Sequence, residues 1–587
     1  MYRLTMKLFS KRIISVYLFI IFLSSCSKTK NTSNNGGGGT TIDTVTVVTP
    51  TDPTTAATIG FFMDAWTPVS FTAPSYTTVA APSGNATAVV TVDASTILTK
   101  ISPALFGNNS NPYSTQMVTE SALMGYLKNL KTKIIRAPGG SLSDVYFWNA
   151  PKGQFPADAP STLLDANGVA SAAGYWSGKN TDGWTITLDN YYSLLQQTSN
   201  TGIITVNYGY ARYGLSNDPV AAAAHLAADW VRYDNGRTKY WEVGNESGGS
   251  WEAGYRINTA TNKDGQPEII TGSLYGKHFH VFADSMKKAA TEIGKTIYIG
   301  AQLIDSEPAS WATNTDKTWN QGVLAEAGSK ADFFIVHNYY TPYNTNTNAA
   351  DFLKSAIAVT DTSMKYVKAQ MTKYGVSAKP VALTEWNTFA TGSKQNVSHV
   401  SGMHLVITMN ELMKNKFGEA TRWDLTNGWD NGNDHGMFSR GETESGEAAW
   451  NPRPAFYHQY FFQKMLGDRC INAAVSTSSG IAAYASTFTS GQVNVTLVNT
   501  STNAHTVQLD FKNFNPGQRY YWYTLSGSTD NGEFSRKVLV NGSGPSGAAG
   551  GPANYTSLNA NAALVTDGKV KVSLPARSVI CMAVDKK

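Results

Sequence analysis

Lys239-Tyr-Trp-Glu-Val-Gly-Asn-Glu246 is a short apolar run that stops on a polar Asn-Glu pair. A run of this length and texture reads as a buried strand, and it delivers a carboxylate at its C-terminal end. A second stretch repeats the arrangement: Pro380-Val-Ala-Leu-Thr-Glu385-Trp386-Asn387. Working outward, short apolar runs at 104–108, 133–137, 203–207, 239–243, 297–301, 333–337, 381–384 and 422–425 read as eight strands. Several are apolar throughout rather than alternating, as strands covered by helices must be. Helical patterns fall between them at 121–131, 189–198, 219–233, 274–293, 352–374 and 399–415. Pro219 suits a first helical turn, and the Ala-rich run after it favours helix. Strand–helix alternation implies a parallel sheet, and eight units imply closure. The expected class is α/β, with a (β/α)8 barrel over 100–462.

After about residue 463 the texture changes to strands separated by turn residues, at 481–486, 493–499, 506–511, 519–525, 569–575 and 578–584. That pattern predicts an antiparallel β-sandwich over 463–587. Residues 59–99, with an alternating stretch around Val89, Val90 and Val92, are expected to supply N-terminal strands to it. Cys470 and Cys581 fall in this region; two buried thiols or a disulfide both suit the spacing.

The N-terminus carries Arg3, Lys7, Lys11 and Arg12, then an apolar run over 13–23 that is too short to cross a bilayer core of about 30 Å. Leu23-Ser24-Ser25-Cys26 follows and resembles a bacterial lipoprotein box. The resemblance implies cleavage before Cys26 and a lipid on its thiol. The protein would then be exported and membrane-anchored, in the periplasm or at the cell surface. An ordinary signal peptide is the alternative. Residues 27–58 are rich in Ser, Thr, Asn and Gly and read as a flexible tether. Net charge is +5, partly from the N-terminal segment, and no basic run interrupts the body, so nucleic acid is not an expected partner.

Active sites of such barrels lie at the C-terminal strand ends. Strands four and seven face each other across the barrel mouth, so Glu246 and Glu385 can converge. Two converging carboxyl groups are what retaining glycoside hydrolysis needs, one to protonate the leaving oxygen and one to attack the anomeric carbon, about 5–5.5 Å apart. Carbohydrate is therefore the expected ligand, with no cofactor. Asn427 to His435 is rich in Asn, Asp and Gly (Asp430, Asn431, Asn433, Asp434) but lacks a calcium-loop spacing, and no metal is expected.

Trp241-Glu-Val-Gly-Asn-Glu246 and Thr384-Glu385-Trp386 resemble the strand-four and strand-seven motifs of the large clan of (β/α)8 retaining glycosidases. Inside the clan, Ile135-Arg136-Ala-Pro-Gly-Gly-Ser141 with Trp148, Ile101-Ser-Pro-Ala-Leu-Phe-Gly-Asn108, and His337-Asn-Tyr339 are similar to segments of the α-L-arabinofuranosidases and their relatives. The resemblance covers roughly 100–465. It implies that Glu246 is the acid/base and Glu385 the nucleophile. Glu246 should then have a raised pKa, and Glu385 should stay ionised with help from Arg136 and from Tyr339 or His337. Asn245 is placed to bond the sugar hydroxyl beside the anomeric carbon, or merely to cap the loop. Arg136 could instead pair with Glu242 inside the barrel. Trp148, Trp386, Trp423 and Trp429 are candidate sugar platforms or ordinary packing. Glu252 and Glu307 end no apolar strand and are expected to face solvent or substrate. Three readings remain: an exo-acting arabinofuranosidase-like enzyme, an endo-acting hydrolase of xylan, β-glucan or algal galactan, and a non-catalytic glycan-binding lipoprotein. The last has no need of both glutamates with Asn245 and Arg136.

Overall fold

The computed structural model describes residues 48–427, 434–441, 447–476 and 480–587. Cys26, the export segment, most of the tether, and Trp429, Asp430, Asn431 and Asn433 lie outside them.

Eight parallel strands close into a barrel. In order they are Gly107–Asn109, Ile134–Ala137, Thr201–Val206, Tyr240–Val243, Tyr298–Gln302, Phe333–Tyr339, Val381–Asn387 and Glu419–Arg422. Each pairs with its neighbour in the chain, and the eighth returns to the first through Thr421 opposite Gly107. Two boundaries differ from the sequence expectation. The first strand starts late, because Pro103–Leu105 forms a turn of 3-10 helix whose start is capped by the Ser102 side chain. The eighth starts early, at Glu419, a carboxyl wholly buried in the barrel and so invisible to a hydropathy reading.

Inward-facing side chains form layers, because alternate residues of a strand face the same way. Ile134, Ile203, Tyr240, Phe333 and Ala382 make an apolar floor. Two residues further along come Arg136, Thr205, Glu242, Ile335 and Thr384, most of them polar. Thr205 and Arg136 both donate to Glu242 Oε2, at 2.8 and 2.7 Å. The floor is closed from below by Gly60–Met63, a 3-10 turn rather than an expected strand. Phe61 stacks on Tyr298 with ring centroids 3.7 Å apart, and Phe62 lies 4.8 Å from Tyr240. The Thr58 carbonyl accepts the Val381 N–H at 2.9 Å and ties the plug to strand seven.

The six expected helices are present as Ser121–Leu130, Leu188–Thr198, Pro219–Asp234, Gly272–Glu292, Ala349–Lys373 and His399–Lys414. Asn314–Ala327 and Pro454–Met465 join them. The first of these two is mostly polar but is opened by a reciprocal capping box between Thr313 and Asp316.

Beyond the barrel, eleven strands form one hydrogen-bonded sheet. Ala88–Lys100 is an inner strand of it, third from one end, antiparallel to Arg469–Val475 and parallel to His505–Lys512. Tyr76–Thr78 is parallel to Ala560–Leu564. The expected purely antiparallel pairing is corrected there, since strands arriving from before the barrel enter in the opposite sense. Val90, Val92, Val495, Leu509, Trp522, Val572 and Met582 share one core. Tyr520 Oη donates to the Lys571 carbonyl at 2.6 Å, so strands distant along the sheet face each other. Cys470 and Cys581 are free, buried thiols, and burial pushes Cys470 up to about 12. The sheet meets the barrel's helices through Tyr484, which donates to Glu411, and His399, which bonds the Arg577 carbonyl.

Candidate active site

Strand four ends in a turn that only an unusual backbone can make. Gly244 has φ +73°, and a Cβ there would lie 2.6 Å from Ser247 Oγ and from Tyr208 Cβ. Glu246 itself sits at φ +41°. A non-glycine residue in that region costs roughly 1–2 kcal/mol, and such strain collects at functional sites. Gln302, at the end of strand five, holds the turn. Its Nε2 donates to the Val243 carbonyl at 2.6 Å, and its Oε1 accepts the Ser247 N–H at 2.7 Å.

The two glutamates converge as the barrel geometry requires. One oxygen of each and a ring nitrogen of His337 lie within 4.8 Å of one another. His337, from strand six, bridges inward, with Nδ1 2.9 Å from Glu246 Oε1 and Nε2 3.0 Å from Thr384 Oγ1. Tyr339 Oη donates to Glu385 Oε1 at 2.7 Å. Arg136 satisfies both readings of its role. Nε donates to Glu242 at 2.7 Å, Nη1 donates to Glu385 Oε2 at 3.3 Å, and Nη2 donates to Asn245 Oδ1 at 2.9 Å. Asn109 of strand one accepts from Nη1 at 3.0 Å.

Three further candidates take different places. Trp386 is 2% exposed and stands edge-on to Tyr340, so it cannot stack on a sugar. Trp148 is also buried; it stacks on Trp230 and donates to the Leu226 carbonyl at 3.0 Å, on the helix side of the barrel. Both are corrected to packing. Trp423 is half-buried, and its ring lies against Gly139 and Gly140, where a Cβ on Gly140 would sit 2.5 Å from it.

Several residues escape a sequence reading. Trp251 is 68% exposed and its Nε1 donates to Glu246 Oε2 at 3.1 Å. A cavity of about 200 Å³ beside it is lined by Glu246, Trp251, Gln302, Asp305, Trp319 and His337. Glu252, expected to face solvent or substrate, is buried. Its Oε1 accepts from Ser141 Oγ and Asn245 Nδ2. Asp144, also buried, accepts the backbone N–H groups of Tyr208, Gly209 and Asn245. A composition rule has no means of finding carboxyls whose partners come from other loops.

The charges are arranged otherwise than expected. Burial pushes Glu246 up, but the hydrogen bond and charge of His337, with Trp251 and Arg136, outweigh it and leave Glu246 below its ordinary value. Burial raises Glu385; His337 and Arg136 pull it down, Glu246 pushes it up, and the net direction is upward. This is the reverse of the order expected from sequence. The direct His337 hydrogen bond to Glu246 sets the order, and Glu246 is also the more exposed side chain, at 27% against 8% for Glu385. The pair titrates as a unit.

Glu246, His337 and Glu385 also form a nitrogen and two-oxygen set of the kind that can hold a metal. The guanidinium of Arg136 already occupies the Glu385 side of that set.

Residues 126–358 match the family model of the α-L-arabinofuranosidase 1 domain. No curated protein sequence matches the chain. Among solved structures, the α-L-arabinofuranosidase of Thermotoga maritima is similar at 16% identity and TM-score 0.57, over 85% of this chain and 99% of that one. A family 51 α-L-arabinofuranosidase of Bifidobacterium longum is similar at 17% identity and TM-score 0.58, over 86% and 100%. A bifunctional glucanase-xylanase from a metagenome library is similar at 13% identity and TM-score 0.56, over 86% and 100%. At such identities the likeness is one of fold.

Proposed function

We propose that this glycoside hydrolase, whose barrel resembles those of the α-L-arabinofuranosidase-like families, cleaves glycosidic bonds with retention of configuration. The observation that carries the reading is the approach of Glu246 and Glu385 to within 4.8 Å. That approach suits the separation of about 5–5.5 Å between carboxyl groups that act with retention, rather than the roughly 6.5–9.5 Å of inverting pairs. Glu385 attacks the anomeric carbon and forms a glycosyl-enzyme. Tyr339 and Arg136 hold the attacking carboxylate in line. Glu246 protonates the departing oxygen and then activates the water that releases the sugar. A bound sugar covers Glu246, removes its remaining water and draws it from His337, which raises its pKa toward that of an acid.

The match over 126–358 favours an α-L-arabinofuranoside as the sugar cleaved. The folded eleven-stranded sheet then serves as the β-sandwich companion of the barrel, and Cys26 as the lipid anchor of an exported enzyme. Hydrolysis of 4-nitrophenyl α-L-arabinofuranoside, followed by proton NMR of the first-formed anomer, tests the reading. Retention is expected; inversion overturns it. Internal cleavage of xylan or a β-glucan, with no action on the aryl arabinoside, would instead point to the endo-acting alternative. Glu385→Ala should abolish turnover and regain it with azide as a glycosyl azide. Glu246→Ala should lose about 10²–10⁴-fold on natural glycans and much less on substrates with good leaving groups.

A further inference from the structure

We propose that Glu252 is a positioning residue. Its Oε1 fixes the side-chain amide of Asn245, and through Asn245 it fixes Arg136 against Glu385. The inference rests on the hydrolase function proposed above and takes Asn245 as the residue that meets the sugar hydroxyl beside the anomeric carbon, the first of its two sequence readings.

Glu252 lies beyond the strand-four turn and is only 3% exposed. Oε1 accepts from Asn245 Nδ2 at 2.9 Å and from Ser141 Oγ at 2.8 Å. With Nδ2 held there, Asn245 Oδ1 faces Arg136 Nη2 at 2.9 Å. Arg136 then reaches Glu385 Oε2 at 3.3 Å. One chain of hydrogen bonds thus runs from the loop after strand two, through the loop after strand four, to the nucleophile on strand seven. An amide carries two N–H donors. Glu252 takes one, and Nδ2 makes no other bond among the described residues, so its second N–H is left for a sugar hydroxyl. If the amide flipped, its N–H groups would meet the donors of Arg136 and both contacts would be lost.

The backbone of Asn245 is fixed by something else. Its N–H donates to Asp144 Oδ2 at 3.2 Å, and Asp144 Oδ1 accepts the Tyr208 and Gly209 N–H groups at 3.2 and 3.1 Å. What Glu252 adds is therefore side-chain orientation. Burial pushes the Glu252 carboxyl well up, and Asp144 and Glu246 push it further. A neutral acid still accepts two donors through its carbonyl oxygen, and so does the amide of glutamine.

The test compares Glu252→Gln with Glu252→Met on an aryl arabinofuranoside and on its 2-deoxy analogue. Gln should stay within a few-fold of the parent. Met should lower kcat by about 100-fold with KM little changed, as misplaced contacts do, and should lose far less on the 2-deoxy analogue, which cannot use Asn245. Equal losses on both substrates would show that Glu252 does not act by orienting the Asn245 amide toward the sugar and would overturn the proposal, as would full activity of the Met variant. A crystal structure of Glu252→Met provides a readout independent of turnover. The Asn245 Oδ1 to Arg136 Nη2 bond should be gone, and its persistence would refute the proposal even if no substrate were found. Inactivity of the parent protein on every glycoside would count against the hydrolase reading alone.

Discussion

Catalytic competence at the residue scale turns on how few groups touch each carboxylate. Tyr339 donates one hydrogen bond to Glu385, and such a bond favours the charged form. Glu385 must be ionised to attack, so activity should rise with pH through its pKa, which lies above the ordinary glutamate value. Removing the donor destabilises the carboxylate and raises that pKa further. In Tyr339→Phe the acid limb of kcat, which reports the substrate complex in which Glu246 is raised, should therefore move to higher pH, with the alkaline limb less affected. A limb that stays in place or moves down would show that Tyr339 does not tune the nucleophile. Trp251 acts on the other partner. It stands open to solvent beside Glu246, next to the 200 Å³ cavity, and under the proposed mechanism the group that Glu246 protonates leaves on that side. Trp251→Ala should raise KM on oligosaccharides more than on a small aryl glycoside, measured as the ratio of the two.

Among the elements, the turn after strand four and the plug under the barrel carry the most consequence. Gly244 and Glu246 reached by positive φ values turn the chain so that Asn245 points down to Arg136 and Glu246 points across to His337. The plug works at the opposite end. Phe62 is 1% exposed and fills the space between Tyr240 and Phe333. Phe62→Ala should cost about 3–5 kcal/mol of stability through the cavity it leaves. Because the glutamates are at the far rim, kcat in the folded fraction should hardly change. Denaturant unfolding together with activity at low temperature checks both halves of that expectation.

For the whole molecule, chain order matters more than domain labels. Ala88–Lys100 lies between Arg469–Val475 and His505–Lys512, so the sheet is completed by residues that precede the barrel. Removing residues before 101 would strip the plug from the floor and leave two inner strands with open edges. Such a protein should aggregate or expose hydrophobic surface, read as dye binding and loss of a cooperative thermal transition. A cut before residue 48 should leave both intact, since Asp52, bonded to Arg469 and Lys100, and Thr58 stay attached.

The order of eight buried strands, six of the helices between them and the two glutamates at strand ends were legible in the sequence. Each depends on local hydropathy and on strand periodicity, which a linear reading carries. Glu419 hid a strand end because its burial is a property of the closed barrel. Trp148 and Trp386 looked like platforms because aromatic residues at strand ends suit sugars, and only packing shows which face is open. The direction of the glutamate pKa values, the relay through Glu252 and Asn245, and the plug formed by Phe61 and Phe62 all join residues far apart in the chain. Electrostatic energy and hydrogen bonding depend on distance in space and on excluded water, and those quantities exist only once the chain has closed on itself.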